Sequence, residues 1–155
     1  MSVTKGQQQA RNRFANYCNR IDRYAGGFQR RADENGKQYV GCQFCVCRYT
    51  EHTLPEAGKI ADVNADLINA YKRVFNFWAR RRMKSFTIDD VEATADDTNI
   101  VRIGAATFDL RIIKKMLKTF GKTATLNVEI GEPNSSLYIT DQDGNEGILC
   151  PIRQK

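Results

Sequence analysis

The 155-residue sequence has no apolar run that approaches membrane-spanning length, which for a helix is about 20 residues. Its first ten residues are mostly polar, so we expect no secretory signal. The five cysteines are an odd number without such a signal, which argues for reduced thiols rather than a disulfide framework. We therefore expect a cytoplasmic protein that has no membrane partner.

The sequence also lacks the local motifs of common enzyme classes. It contains no phosphate-binding loop, no Gly-x-Ser-x-Gly elbow, no dinucleotide-binding glycine fingerprint and no His-Glu-x-x-His. Its single histidine, His52, stands next to a turn, where an exposed loop residue is more common than a catalyst. We therefore predict a protein that is not an enzyme and that needs no cofactor.

Charge of one sign is missing from several stretches of the chain. The net charge is +6, and the segment from Lys72 to Lys84 carries six cations and no acid. From Thr123 to Cys150 the reverse holds, because acids are present but Lys and Arg are absent. A basic chain with its cations on predicted helices favours nucleic acid as a partner. Ordinary solvated helix faces would give the same pattern.

The best-defined pattern is a helix followed by three strands near the C-terminus. Between residues 108 and 120 apolar residues recur on one helical face. The opposite face is basic and carries Arg111, Lys114, Lys115 and Lys118. Strand-like runs follow at 123–130, 136–140 and 147–153. This order predicts an α+β fold, with helices packed on an antiparallel sheet.

The rest of the chain predicts two more helices and further strands. The helices are predicted at 10–24 and 64–82, after a loose polar segment at 1–9. Asn35-Gly36 predicts the turn of a hairpin. Its strands would be 28–31 and 37–50, and further strands are predicted at 84–91 and 99–103.

A domain boundary is predicted at residues 51–61, where Pro55 and Gly58 interrupt the pattern. It would separate a basic N-terminal region, 1–58, with a helix and a hairpin, from an α+β region, 59–155. At this length the whole chain also suits a single domain.

The C-terminal pattern resembles the end of a bacterial sliding clamp, the β subunit of DNA polymerase III. The segments that carry the resemblance are Phe108 to Phe120, Leu126 to Ile130, Ser135 to Leu137 and Ile148 to Arg153. In that family the last helix begins with a Phe-Asn pair, and a Met-Pro-hydrophobic-Arg tail closes the chain. Here Cys150 stands in place of the Met. The resemblance covers about residues 99–153 and implies a βαβββ unit, which is half of a clamp domain.

A clamp domain has two such halves, and two interpretations of the first half remain open. The helix that begins near residue 64 echoes residues 108–113, because an apolar residue precedes a capping side chain in both. Alternatively, residues 10–49 supply the first half and the middle helix is an insertion. A clamp chain has three domains, so this chain cannot be a complete clamp.

The resemblance implies a non-enzymatic, DNA-associated protein that is clamp-like or clamp-derived and acts in replication or mobile-element biology. Its basic helices would follow the DNA backbone without reading sequence, and replication proteins would be further partners. The residues predicted to contact DNA are Lys72, Arg73, Arg80, Arg81, Arg82, Lys84, Arg111, Lys114, Lys115 and Lys118.

The alternative function is a protein-interaction module or accessory factor that binds a partner through its sheet and C-terminal tail, without direct DNA binding. Clamps bind peptides beside this tail. The resemblance carries that pocket to Ser136, Ile148, Cys150 and Pro151. A ring around DNA would need a homo-oligomer, for which strands 99–103 and 146–152 are the predicted free sheet edges.

Four candidate metal ligands lie within eleven residues, namely Cys42, Cys45, Cys47 and His52. On one continuous strand Cys42 would point away from Cys45 and Cys47, so the thiols converge only if the strand breaks. Reduced cysteines in a core behave as small hydrophobes. We therefore predict buried thiols, with metal binding as the weaker alternative.

Overall fold

The computed structural model describes residues 3–21, 28–30, 35–50, 61–62 and 65–152. The predicted α+β class is confirmed, because helices pack against a sheet that is antiparallel at nearly every pairing. The helices are α1 (Lys5–Ile21), α2 (Ala65–Ala79), α3 (Ile88–Glu92) and α4 (Leu110–Leu117). The strands are β1 (Phe28–Arg30), β2 (Gln38–Gly41), β3 (Cys45–Tyr49), β4 (Ala61–Asp62), β5 (Lys84–Phe86), β6 (Ile100–Ile103), β7 (Ala106–Asp109), β8 (Thr125–Val128), β9 (Leu137–Thr140) and β10 (Glu146–Leu149).

Eight strands form one sheet in the order β4-β1-β2-β3-β10-β9-β8-β5. At its centre β3 pairs with β10 in antiparallel register, with Cys47 opposite Gly147. A Cβ at Gly147 would lie 2.9 Å from Met116 Cε and 3.0 Å from Phe120 Cζ. The glycine therefore allows α4 and the turn after it to pack closely on the middle of the sheet.

The sheet consists of two similar halves. Helix α1 is followed by the meander β1-β2-β3, and helix α4 is followed by the meander β8-β9-β10. Phe14 of α1 and Ile113 of α4 bury their side chains in the same core cluster, which places both helices on one face of the sheet. Of the two interpretations of the first half, the segment within 10–49 is therefore the one that forms a helix and three strands.

The middle helix lies on the opposite face of the sheet. Successive side chains of a strand point to opposite faces, and β3 follows this rule. Cys47 and Tyr49 belong to the cluster beneath α1 and α4, whereas Val46 packs with Ile68 and Phe75 of α2. The sheet is therefore covered on both sides, and α2 is separated from the two other long helices by the sheet.

A buried ion pair joins the two halves on the α2 face. Arg48 of β3 and Glu146 of β10 are cross-strand partners and are 6% and 7% exposed. The Arg48 Nε and Nη2 atoms donate to Glu146 Oε1 at 3.0 and 2.6 Å, and the guanidinium lies 4.6 Å from the centroid of the Phe75 ring. Tyr138 donates to the other carboxylate oxygen, and burial together with this bond raises the pKa of Tyr138. Buried charges are costly unless they are paired in this way.

Helix α1 begins earlier than the sequence pattern predicts. The Thr4 hydroxyl accepts from the Gln7 amide at 3.0 Å, and the Gln7 side chain accepts from the Thr4 amide at 3.0 Å. This reciprocal capping box stabilises the first helical turn. The prediction of a loose segment is therefore wrong for residues 5–9.

The strand predicted at 84–91 ends at Phe86. The Thr87 hydroxyl accepts a hydrogen bond from the Asp90 amide at 3.2 Å and caps α3. Acidic side chains in the first turn favour a helix because they lie near the positive end of its dipole. The acids Asp89 and Asp90 therefore lie on a short helix and not in the predicted strand.

The strand predicted at 37–50 breaks into β2 and β3. A Cβ at Gly41 would lie 2.3 Å from the carbonyl oxygen of Cys45, and the Cys42 amide donates to that oxygen at 2.9 Å. Only glycine permits this close approach. Residues 42–44 therefore form a tight turn, and Cys42 leaves the line of the strand.

The predicted meander of the last three strands is confirmed, but two of its neighbours differ from expectation. The strand before α4, β7, pairs with β6 through a turn at Gly104, whose φ is +62°, and these two strands form a separate sheet. Strand β10 lies between β3 and β9, so the prediction of a free edge at 146–152 is wrong. The other predicted edge, at 99–103, corresponds to β6, which pairs only with β7 among the described strands. A homo-oligomer formed by strand addition would use that edge or the edge at β5.

Several predictions fall on residues outside the described ranges. These are the end of the first helix at 22–24, the start of the second at 64, most of the boundary at 51–61, His52 and Arg153. Among the described residues, no helix is both long enough and apolar enough to cross a membrane.

Candidate nucleic-acid interface and neighbouring sites

The face formed by α1 and α4 is basic. Neither helix contains an acidic residue between its first and last positions. The two helices are in contact, and Lys115 Nζ of α4 lies 4.9 Å from the centroid of the Tyr17 ring of α1. The exposed cations of this face are Lys5, Arg13, Arg20, Arg111, Lys114, Lys115 and Lys118. We refer to these seven residues as the basic helical face.

Two of these cations have acidic partners. Arg111 Nη2 lies 3.1 Å from Asp109 Oδ2, and this hydrogen-bonded pair raises the pKa of Arg111. Lys114 Nζ lies 3.2 Å from a carboxylate oxygen of Glu92 on α3. Both pairs are exposed, and exposed ion pairs contribute about 0–1 kcal/mol. An incoming phosphate can therefore compete for either cation.

The other six predicted DNA-contacting residues lie elsewhere. Lys72, Arg73, Arg80, Arg81, Arg82 and Lys84 belong to α2, the turn after it and β5. Because α2 covers the opposite face of the sheet, the ten predicted cations do not form one surface. Arg81 is also engaged, since its guanidinium forms a close ion pair with Glu129. The four predicted cations of α4 therefore lie together on one surface. Cations of α1, such as Arg13 and Arg20, lie on the same face of the sheet and were not predicted.

An apolar pocket of about 200 Å³ lies between α2, the turn at 42–45 and the end of β10. It brings together Ser136, Ile148 and Cys150, which are three of the four residues predicted to bind a peptide. Pro151 does not line it. The remaining lining residues are Gln43, Phe44, Cys45, Val46, Tyr71 and Val74. Sequence reasoning missed these because they come from the opposite half of the sheet and from the inserted helix.

The segment after β10 is held against neighbouring elements. The Cys150 amide donates to the Phe44 carbonyl at 2.9 Å, and the Ile152 amide donates to the Thr107 carbonyl at 2.8 Å. Phe44 and Val74 at the pocket are 49% and 40% exposed, which is unusual for large apolar side chains at neighbouring positions. The pocket therefore has a fixed floor and an apolar rim.

Three cysteine thiols converge on the basic side of the sheet. Cys45 Sγ lies 3.8 Å from Cys18 Sγ and 3.8 Å from Cys42 Sγ, and all three residues are buried. Hydrogen bonds from the other two thiols lower the pKa of Cys42 to about 3, and the Phe44 and Cys45 amides also donate to Cys42. The same contacts raise the pKa of Cys18.

These three thiols differ from the four candidate metal ligands that the sequence offers as the weaker alternative to buried thiols. Cys47 is not among the three, because its thiol packs beside Tyr49 and Thr119, where burial raises its pKa to about 12. Cys18 was missed because it lies on a helix far earlier in the chain. Its position on the buried side of α1, one turn after Phe14, was the only signal available in the sequence.

No protein-family model, curated protein or solved structure matched this chain when it was compared with them.

Proposed function

We propose that the protein associates with duplex DNA through the basic helical face, as a non-enzymatic clamp-like or clamp-derived protein of replication or mobile-element biology. The observation that carries this proposal is the side-by-side packing of two acid-free helices on one face of the sheet. The resemblance of residues 99–153 to the end of a bacterial sliding clamp supports it.

The chemistry of this face suits the sugar-phosphate backbone. Lys and Arg side chains on two helices in contact present several positive charges, which attract the phosphates of a duplex. Helix α1 has 17 residues and is roughly 25 Å long at about 1.5 Å per residue. Contacts of Lys and Arg with phosphates carry no sequence information, so we expect binding that positions the protein without reading sequence.

Fluorescence anisotropy with duplexes of unrelated sequence tests the proposal. We expect similar affinities for each sequence, and a logarithm of affinity that falls linearly with the logarithm of salt concentration. Each phosphate contact contributes about 0.9 to that slope. Binding that is undetectable at low salt, or that does not respond to salt, would contradict the proposal.

The second candidate function is capture of a partner protein's peptide, and the apolar pocket favours it. About 200 Å³ accommodates one or two apolar side chains, and its lining includes Ser136, Ile148 and Cys150. The Ser136 side chain supplies a polar group at the pocket that would help to orient the peptide. A fluorescent peptide with adjacent Leu and Phe residues serves as the probe.

The two candidate functions are separable, because the sheet lies between the basic helical face and the pocket that α2 helps to line. If DNA binding survives loss of the peptide site, and peptide binding survives loss of the basic helical face, the chain carries both functions. Peptide binding without any DNA binding would identify an interaction module alone.

A further inference from the structure

We propose that Cys18, Cys42 and Cys45 are three thiolate ligands of a metal site that takes zinc. This inference does not depend on the proposed function. It concerns the interior of the protein, where α1 meets the turn at 42–45, and not the exposed cations of the basic helical face. Cys45 also lines the apolar pocket.

The distances between the sulfur atoms fit one tetrahedral ion. Two Sγ–Sγ distances are 3.8 Å, and all three sulfur atoms lie within 4.8 Å of one another. Zinc binds thiolates at about 2.3 Å in tetrahedral geometry, which places two bound sulfurs about 3.8 Å apart. A modest movement of one side chain would therefore allow all three thiolates to bind one ion.

The turn at 42–45 has the form of a metal-binding knuckle. Cys42 and Cys45 are separated by two residues, which is a spacing common in zinc sites. The backbone amides of Phe44 and Cys45 donate to the Cys42 sulfur. Amide donors at this position stabilise negative charge on a thiolate, just as second-shell hydrogen bonds do around bound metals.

Cys47 shows how a buried cysteine of this protein behaves outside the cluster. It lies on β3 two residues after Cys45, and it packs beside Tyr49 and Thr119, apart from the other thiols. A cysteine that serves only as a small apolar core residue needs no more than contacts of that kind. The convergence of three thiols from two separate elements is a more specific arrangement than burial requires.

The donor set selects the class of metal. Three thiolates favour zinc and other soft ions over magnesium and calcium, which prefer oxygen ligands. Zinc is the best fit because it needs no redox partner and takes tetrahedral sites. The three cysteines leave one coordination position for a water molecule or a further ligand. Bound zinc would fix α1, and hence half of the basic helical face, to the β2–β3 turn.

Cobalt(II) is a suitable spectroscopic probe because it replaces zinc in tetrahedral thiolate sites. The full chain, reduced and stripped of metal, is titrated with cobalt. We expect thiolate-to-cobalt charge-transfer absorption that saturates at one ion per chain and disappears on addition of zinc. Absence of this absorption at stoichiometric cobalt would overturn the proposal.

Matched cysteine variants locate the site. Cys18→Ser should weaken cobalt binding by roughly tenfold or more, since even second-shell changes cost that much. Cys47→Ala, at a buried thiol outside the cluster, should leave binding unchanged. Equal weakening by both substitutions would overturn the assignment to Cys18, Cys42 and Cys45.

Thermal unfolding provides a readout that does not depend on the folding of a variant. Zinc stabilises a protein that binds it only when folded. We expect zinc to raise the Tm of the reduced, unsubstituted chain, and a chelator to reverse the increase. An unchanged Tm would contradict the proposal. Native mass spectrometry that detects no zinc on the reduced chain would contradict it as well.

Discussion

Lys115 and Tyr17 connect the two helices that we propose to contact DNA, because the Lys115 ammonium lies 4.9 Å from the centroid of the Tyr17 ring. Tyr17 belongs to α1 and Lys115 to α4, the two helices that precede the two meanders of the sheet. A contact of this kind contributes about 0.5–1 kcal/mol at an exposed site. Its main consequence is geometric, since it holds cations of α1 and α4 on a shared surface.

Replacement of Tyr17 by Leu should keep the apolar packing of the ring and remove the cation–π contact. We expect a loss of about 0.5–1 kcal/mol in the free energy of unfolding. DNA affinity should remain close to that of the unchanged protein because no charge is lost. Urea unfolding and anisotropy measure the two quantities. A large loss of DNA affinity would mean that Tyr17 itself contacts the nucleic acid.

Arg48 and Glu146 should depend on each other for stability. Arg48→Met leaves a buried carboxylate without its main partner, and we expect the free energy of unfolding to fall by about 3–5 kcal/mol. The double variant Arg48→Met, Glu146→Leu removes both charges and should recover much of that loss. Urea unfolding of both single variants and the double variant measures the coupling. Additive losses would show that the pair does not act as a unit.

Gly41 should be intolerant of any side chain. Gly41→Ala places a Cβ 2.3 Å from the Cys45 carbonyl oxygen, so the turn at 42–45 must shift and the protein should lose roughly 1–3 kcal/mol of stability. Gly6→Ala is the matched control, because its Cβ would meet nothing closer than 3.9 Å in the first turn of α1. That change should be neutral or should stabilise the helix by up to about 1 kcal/mol. Denaturation midpoints distinguish the two outcomes.

The local patterns of the sequence predicted much of the fold. The amphipathic repeat at 108–120 and the strand-like runs after it depend on nearby residues, so α4 and its meander were predicted within a few residues. The break of the strand at Gly41 was not predicted, because it depends on the close approach of two backbone segments. Helix α1 was predicted too short, since the capping box of Thr4 and Gln7 was overlooked.

The candidate sites were harder to predict because they require long-range pairing. The antiparallel pairing of β3 with β10 brings Phe44 beside Cys150, and no periodicity in the sequence indicates which strands meet. The same holds for Cys18, whose partners lie on a different element. The cations of α2 were predicted to contact DNA because they lie in a segment without acids. That charge pattern does not reveal which face of the sheet a helix covers.

The apolar pocket should be sensitive to charge at its rim. Val74→Glu places a carboxylate at a residue that lines the pocket and is already 40% exposed, so the fold should tolerate the change. We expect it to abolish binding of the Leu-Phe peptide because a charge would have to be desolvated. Asn76→Glu, on an exposed position of the same helix, is the control and should leave binding unchanged. Loss of binding in both variants would point to general repulsion of the peptide rather than to this pocket.

Two charge reversals on opposite faces test the central claim most directly. One variant changes Lys114, Lys115 and Lys118 to Glu, and the other changes Arg73, Arg80 and Arg82 to Glu. Each substitution lowers the net charge by two, so the net charge falls from +6 to 0 in both variants. We predict that the α4 variant loses detectable duplex binding at low salt, whereas the α2 variant binds with an affinity close to that of the unchanged protein. Equal loss in the two variants, or binding that persists in the α4 variant, would contradict DNA association through the basic helical face.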